Sequence, residues 1–240
     1  VEAWGVDGCR EGWFFFRLDG DEAQCGVVSA ISELAARSSE GAPILIDIPI
    51  GLHDSSDVER TCDLEARRAL SPIRASSVFP APCRSAVYAP TYDVAVKRNR
   101  ERMGKGLSKQ SWAISPKIRE VDSLLQAEPR LRERIREVHP EVCFWGLTGR
   151  PMPHSKKTRE GFRDRLEVLS GVYPDAPGAV ARAFLDYGGF EALRDDIIDA
   201  LVAAVCASHI SECRTLPSQP GVDPTGLRME MVYWQTTLLR

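Results

Sequence analysis

The sequence predicts an α/β domain: a mixed five-stranded sheet flanked by helices, with a helical insertion after the fourth strand. Three observations carry this. The first fifty residues alternate short aromatic and β-branched runs with turn signals. From about 52 to 134 the periodicity turns helical and the composition polar. A strand-like apolar run then returns near 135.

Residues 3–8 (Ala-Trp-Gly-Val-Asp-Gly) read as a short buried strand, and 12–18 (Gly-Trp-Phe-Phe-Phe-Arg-Leu) as its hairpin partner across a tight turn at 8–11. Asp19-Gly20-Asp21 is a turn signal, followed by a third strand near 24–28. Ser29 is a candidate cap for a helix expected over 30–38, whose inner face holds Ile31, Leu34 and Ala35. Residues 43–48 form a near-continuous apolar run, as a strand covered on both faces should. Together these make the first half of an RNase H-type sheet.

Within the 52–134 insertion, 60–70 suits one helix and 117–125 another, separated by a rigid loop at 76–84 because Pro80 and Pro82 deny regular structure. Residues 135–139 read as the last core strand. Helices follow over 156–170 and 189–210, and 229–234 offers a final strand. The whole chain reads as one domain, 1–240, with the insertion inside it.

Composition narrows the function classes. No apolar run approaches the roughly 18 residues of a membrane span. The seven cysteines show no C-x-x-C pair and no regular spacing, which argues against a zinc site or a disulfide framework and for a reducing, cytoplasmic setting. The net charge of −3 conceals an asymmetry: residues 52–170 hold 23 Lys/Arg against 16 Asp/Glu, while the remainder holds 8 against 18. A basic middle beside acidic flanks suits a polyanionic substrate, although solvated helix faces explain single residues equally well.

The acids are placed to hold a hard divalent cation, Mg²⁺ or Mn²⁺. Asp7 ends the first strand and Asp47 the fourth. Neighbouring strands would set them side by side, where they would repel strongly without a cation between them. Asp-Gly is also a hairpin signal, so a structural role for Asp7 stands beside the metal role, and Gly8 would let backbone approach a phosphate.

On the late helix, Leu193, Ile197, Ala200, Leu201 and Ala204 form an apolar stripe. Asp196 and Asp199 flank it at i, i+3, and Asp195 with Asp199 is a competing pair. Buried acids are costly unless a cation or hydrogen bonds offset them; a first-turn position against the helix dipole is the alternative. Glu141, in a turn after His139-Pro140, is equally a metal ligand or a surface glutamate. His139 reads as structural. Ser155-Lys156-Lys157-Thr158 opens a helix where the lysines either hold a phosphate or face solvent. Gly104-Lys105-Gly106 is not a phosphate-binding loop, since Asn99 replaces the required glycine and no Ser/Thr follows the lysine.

These segments together resemble a family of RNase H-like nucleases catalogued mainly as domain of unknown function 429. The matching pieces are Gly5-Val6-Asp7-Gly8-Cys9-Arg10 with Gly12-Trp13, Ile46-Asp47-Ile48-Pro49-Ile50-Gly51-Leu52, Arg60-Thr61-Cys62-Asp63 and Ser76-Ser77-Val78-Phe79-Pro80. Further along come Glu137-Val138-His139-Pro140-Glu141-Val142, Ser155-Lys156-Lys157-Thr158, and Asp195-Asp196 with Asp199-Ala200. Residues 196–201 also resemble the final helix of RuvC-type resolvases.

The resemblance implies an RNase H-like fold and acid roles on Asp7, Asp47, Asp196 and Asp199. The fourth-strand acid is Asp where resolvases carry Glu, so Glu141 stands as a further ligand. The reading is a two-metal phosphodiesterase on DNA or RNA. Asp7, Asp196 and Asp199 would hold the ions, Asp47 or Glu141 would complete the site, and Arg84, Lys156 and Lys157 would position phosphates. Two rivals remain on the same fold: an actin-like phosphotransferase or ATPase, and a non-catalytic scaffold binding nucleic acid or protein.

Overall fold

Three antiparallel strands, β1 (Ala3–Cys9), β2 (Gly12–Asp19) and β3 (Glu22–Val28), form the leading meander, and β4 (Ile44–Ile46) and β5 (Ile135–Glu137) add in parallel beside β1. The sheet order is β3-β2-β1-β4-β5, the mixed five-stranded α/β arrangement expected of an RNase H-like sheet. The computed structural model describes residues 2–20, 22–54, 59–187 and 193–236, Leu193 by its backbone alone. Asp21 of the expected turn and the expected helix start at Gly189 lie outside them.

Helix α1 (Ile31–Arg37) precedes β4, and the segment between β4 and β5 carries α2 (Thr61–Ala69), α3 (Arg84–Val87), α4 (Tyr92–Met103) and α5 (Lys109–Ala127). Then come α6 (Pro140–Thr148), α7 (Arg159–Val172), α8 (Ala176–Tyr187) and α9 (Leu193–Ser208), and a hairpin of β6 (Cys213–Val222) and β7 (Arg228–Trp234). A parallel bridge from Val138 to Val232 joins this hairpin to the main sheet beyond β5.

Strand alternation sorts the two faces of the sheet. Trp4, Val6, Ile44 and Ile46 point into a core closed by α1 and by Ile118, Val121 and Leu125 of α5. Ala3, Cys9 and Leu45 point the other way, into a core with α6, α7, α8 and α9. Asp7 and Asp47 have the parity of Ala3 and Leu45, so both belong to the α9 face. Helix α9 lies directly on β1 because Gly5 has no side chain: a Cβ there would sit 2.0 Å from the Ala204 backbone nitrogen and 2.1 Å from the Ala200 carbonyl oxygen. The small residues Ala200, Ala203 and Ala204 complete this close contact, which brings the start of α9 to the end of β1.

Several elements differ from the expectation. Helix α5 begins at Lys109, not 117, and runs through Pro116. Its start is fixed by Ser108, whose side chain accepts from the Ser111 backbone N–H at 3.0 Å. Burying Ile118, Val121 and Leu125, each worth about 1.5–3 kcal/mol, offsets the roughly 3 kcal/mol cost of an interior proline. His139-Pro140 opens a helix where a turn was expected, because proline at the first helical position has a suitable φ and needs no N–H partner. Strand β6 contains Pro217 and Pro220, which suppress its signature, and its pairing shifts register between Leu216 and Gly221. Gly104, in the rejected loop motif, caps α4 in the left-handed conformation at φ 65°. No helix among the described residues is long and apolar enough to cross a membrane.

Candidate metal centre

The site forms where β1 and β4 end. Val6 pairs with Ile46, and the Asp47 N–H donates to the Val6 carbonyl at 2.9 Å, so Asp7 and Asp47 follow as adjacent residues of parallel strands. Ligand sites commonly lie at such carboxyl ends of parallel strands. Helix α9 brings Asp199 across the same face. One carboxylate oxygen from each of Asp7, Asp47 and Asp199 falls within 4.8 Å of the others, with Asp7 and Asp199 buried and Asp47 half-buried.

Three carboxylates this close and this far from water are electrostatically frustrated. Burial raises Asp7 above the usual carboxylate range, and the charges of Asp47, Asp199 and Asp196 push further in the same direction. Asp47 is raised by burial, with Glu141 adding and His139 and Lys156 opposing. Burial lifts Asp199 to about 6, against the pull of Lys156. Asp196, in the first turn of α9, is lifted to about 7 by burial and by the Asp199 charge.

The only cation that an ion pair brings to the three acids, among the described residues, is Lys156, paired with Asp199 Oδ2. Burial disfavours its charge, but Asp199, Asp7 and Asp47 outweigh that and hold its pKa above the usual lysine value. One lysine does not satisfy the cluster. Among the described residues, Asp199 Oδ1 is buried without a hydrogen-bond partner, and so is Glu141 Oε2. Hard oxygen donors, a deficit of positive charge and an orphaned carboxylate oxygen fit a divalent cation such as Mg²⁺ or Mn²⁺.

The other candidate residues take separate places. Asp196 stands outside the three-oxygen cluster, close enough for its charge to raise Asp7. Asp195 is half-buried beside it in the first turn. Glu141 is not on the surface: it sits buried in the first turn of α6, one oxygen held by Arg165 at 2.5 Å. Arg165 is fully buried and also donates to the Gly161 and His154 carbonyls.

Arg84 is not free to hold a phosphate. It bonds Asp122 at 2.9 Å and Asp223 at 2.5 Å, donates to Thr225 and lies outside the acid-lined cavity. Lys157 is exposed, and no ion pair holds it among the described residues. Thr158 caps α7, accepting from the Gly161 N–H at 3.1 Å.

A cavity of about 190 Å³ opens beside Asp7 and Asp47. Its polar floor is Arg60, buried with Asp63 and Glu137; its other walls include Ile48, Val78, Phe79, Ile114, Lys117 and His139. Lys117 carried no signal in the sequence. Its ammonium sits 4.5 Å over the Trp13 ring and donates to the Gly12 carbonyl. A Cβ on Gly8 would lie 2.8 Å from Lys117 Cδ, so the space beside Gly8 that was expected to admit a phosphate holds this lysine.

The model of one protein family, described as "Protein of unknown function (DUF429)", matches residues 5–221. The chain belongs to this family. The match runs from within β1 to within β6 and includes every acid of the site. No curated protein and no solved structure matches the chain.

Proposed function

We propose that this member of the family is a divalent-metal-dependent phosphodiesterase acting on nucleic acid. The observation that carries the reading is the buried Asp7–Asp47–Asp199 cluster, which has more negative charge than Lys156 neutralises and an unpartnered Asp199 oxygen. Asp7, Asp47 and Asp199 would hold Mg²⁺ or Mn²⁺, with Asp196 and Glu141 nearby as further carboxylates. A bound cation supplies Lewis-acid polarisation of a phosphoryl oxygen and makes a water acidic enough to attack at neutral pH.

The chain's own residues do the rest. Lys156, one-third exposed and paired with Asp199, brings a positive charge to the acids and would be suited to a phosphate oxygen once a cation takes its place on Asp199. Exposed Lys157 and the basic excess of 52–170 favour a polyanion, through contacts that set position without reading sequence. Arg165 holds Glu141 in place. His139 lines the cavity; its Nε2 meets the Ser77 carbonyl at 3.3 Å, and its Nδ1 is buried without a partner among the described residues.

The test is a cleavage screen with labelled DNA and RNA, single-stranded and duplex, in the presence of Mn²⁺. Cleavage by the wild type and its loss in Asp7→Asn and Asp199→Asn is the expected result. A folded wild type that binds Mn²⁺ but cuts none of these substrates would remove the assignment.

A further inference from the structure

The Ser76-Ser77-Val78-Phe79-Pro80 stretch contributes nothing to the acid cluster, yet it carries an aromatic side chain that lines a cavity on each side. Phe79 is half-buried, belongs to none of the hydrophobic core clusters and makes no contact with another ring among the described residues. It is the residue shared by two cavities. On one side is the 190 Å³ cavity that contains Asp7 and Asp47. On the other is a cavity of about 220 Å³ lined by Asn99, Met103, Lys105 and Leu107.

The mount of this ring is rigid. Pro80 and Pro82 restrict the backbone. Arg67 donates to the Val78 carbonyl at 3.1 Å, the Ala81 N–H donates to Asp63 at 3.2 Å, and the Cys83 N–H donates to Asn99 at 2.9 Å. A ring held this way loses little freedom when a flat partner covers it. A lysine lines each cavity, Lys117 on the acid side, held by the Gly12 carbonyl and the Trp13 ring, and Lys105 on the other, paired with Glu59.

We propose that Phe79 is a stacking platform for an unpaired nucleobase, so that the strand presented to the acids is single-stranded there. This rests on the phosphodiesterase reading and narrows its substrate class. A paired base is already stacked between its neighbours and shows Phe79 only an edge; an unpaired base offers the face that aromatic side chains bind in single-strand-binding proteins.

The experiment is fluorescence anisotropy with Mn²⁺ and a short, labelled, phosphorothioate single strand. The same sequence as a duplex, and a series in which one residue at a time is abasic, serve as competitors. The single strand is expected to bind more tightly than the duplex, and one abasic position to weaken it roughly ten-fold. Phe79→Ala, checked for its melting temperature, should lower single-strand affinity by the same roughly ten-fold factor and abolish the abasic effect, while Phe79→Trp retains both. Equal binding of duplex and single strand, or unchanged single-strand affinity in Phe79→Ala, would overturn the platform; with Mn²⁺-dependent binding intact, the phosphodiesterase reading would survive. Absence of any nucleic-acid binding by the wild type would remove both.

Discussion

Two acid clusters meet at one cavity, lined by Asp63 and Glu137 of the first and by Asp7 and Asp47 of the second, and differ in how they are neutralised. Asp63 and Glu137 share Arg60, which donates to Asp63 at 2.5 and 3.2 Å and to both Glu137 oxygens at 2.8 Å. The Ile50 N–H adds a further bond to Glu137 at 2.6 Å, and the Ala81 N–H one to Asp63. Among the described residues, the one cation that an ion pair brings to Asp7, Asp47 and Asp199 is Lys156, on Asp199, and one Asp199 oxygen is left with no partner. Burial lifts Glu137 to about 7 in spite of Arg60, so raised acidity constants do not separate the clusters. Completeness of hydrogen bonding does: the first cluster carries its own cation in a planar fork, whereas the second is arranged for one that arrives from solution.

The largest expected effect comes from breaking the satisfied cluster. Arg60→Met leaves Asp63 and Glu137 buried without a cation and should cost about 3–5 kcal/mol in denaturant unfolding. Mn²⁺ should not restore that stability, since its site lies with the other acids. Lys156→Met acts on the second cluster, where the lost partner is partly exposed. We expect about 1–3 kcal/mol of destabilisation without metal, recovered on adding Mn²⁺, together with tighter Mn²⁺ binding because a competing positive charge is gone.

Acidity gives a third comparison. Asp199 at about 6 and Asp196 at about 7 hold their protons more firmly folded than unfolded. Their contribution to stability is therefore full below about pH 4, the unfolded value, and is lost as pH rises through 6 to 7. Metal requires the ionised forms. The metal-free melting temperature should fall across this window, while the increment on adding Mn²⁺ grows. A metal increment independent of pH between 5 and 8 would place Mn²⁺ elsewhere. The smallest effect is that of exposed Lys157→Ala, expected to change stability by less than about 0.5 kcal/mol while lowering the salt dependence of nucleic-acid binding by roughly one phosphate contact.

Much of this was legible in the sequence because the sheet is written in short-range patterns. Strand parity along Ala3–Cys9 and the apolar run to Ile46 put Asp7 and Asp47 at strand ends, side by side once the two strands are neighbours, and the i, i+3 spacing marks Asp199 as one of a pair on α9. The remainder depends on contacts between distant segments. Nothing local distinguishes the acids of Asp63 and Glu137, which meet Arg60 from two different elements, from those of the open site. Arg84 looked like a phosphate ligand because its partners Asp122 and Asp223 lie 38 and 139 residues away. Helix α6 was hidden by His139-Pro140, whose letters serve a turn and a helix start equally well. Gly5, which sets the closeness of α9, reads as an ordinary strand glycine until the helix is seen upon it.

The most direct measurement is calorimetric titration of Mn²⁺ into the wild type and into Asp7→Asn and Asp199→Asn, with unfolding followed in parallel. If these acids form one cation site, the wild type binds Mn²⁺, both variants lose at least about ten-fold in affinity, equivalent to about 1.4 kcal/mol, and Asp7→Asn, which relieves repulsion without breaking the Lys156–Asp199 pair, loses no metal-free stability. Undiminished Mn²⁺ binding in both variants, or a marked loss of metal-free stability in Asp7→Asn, would contradict it.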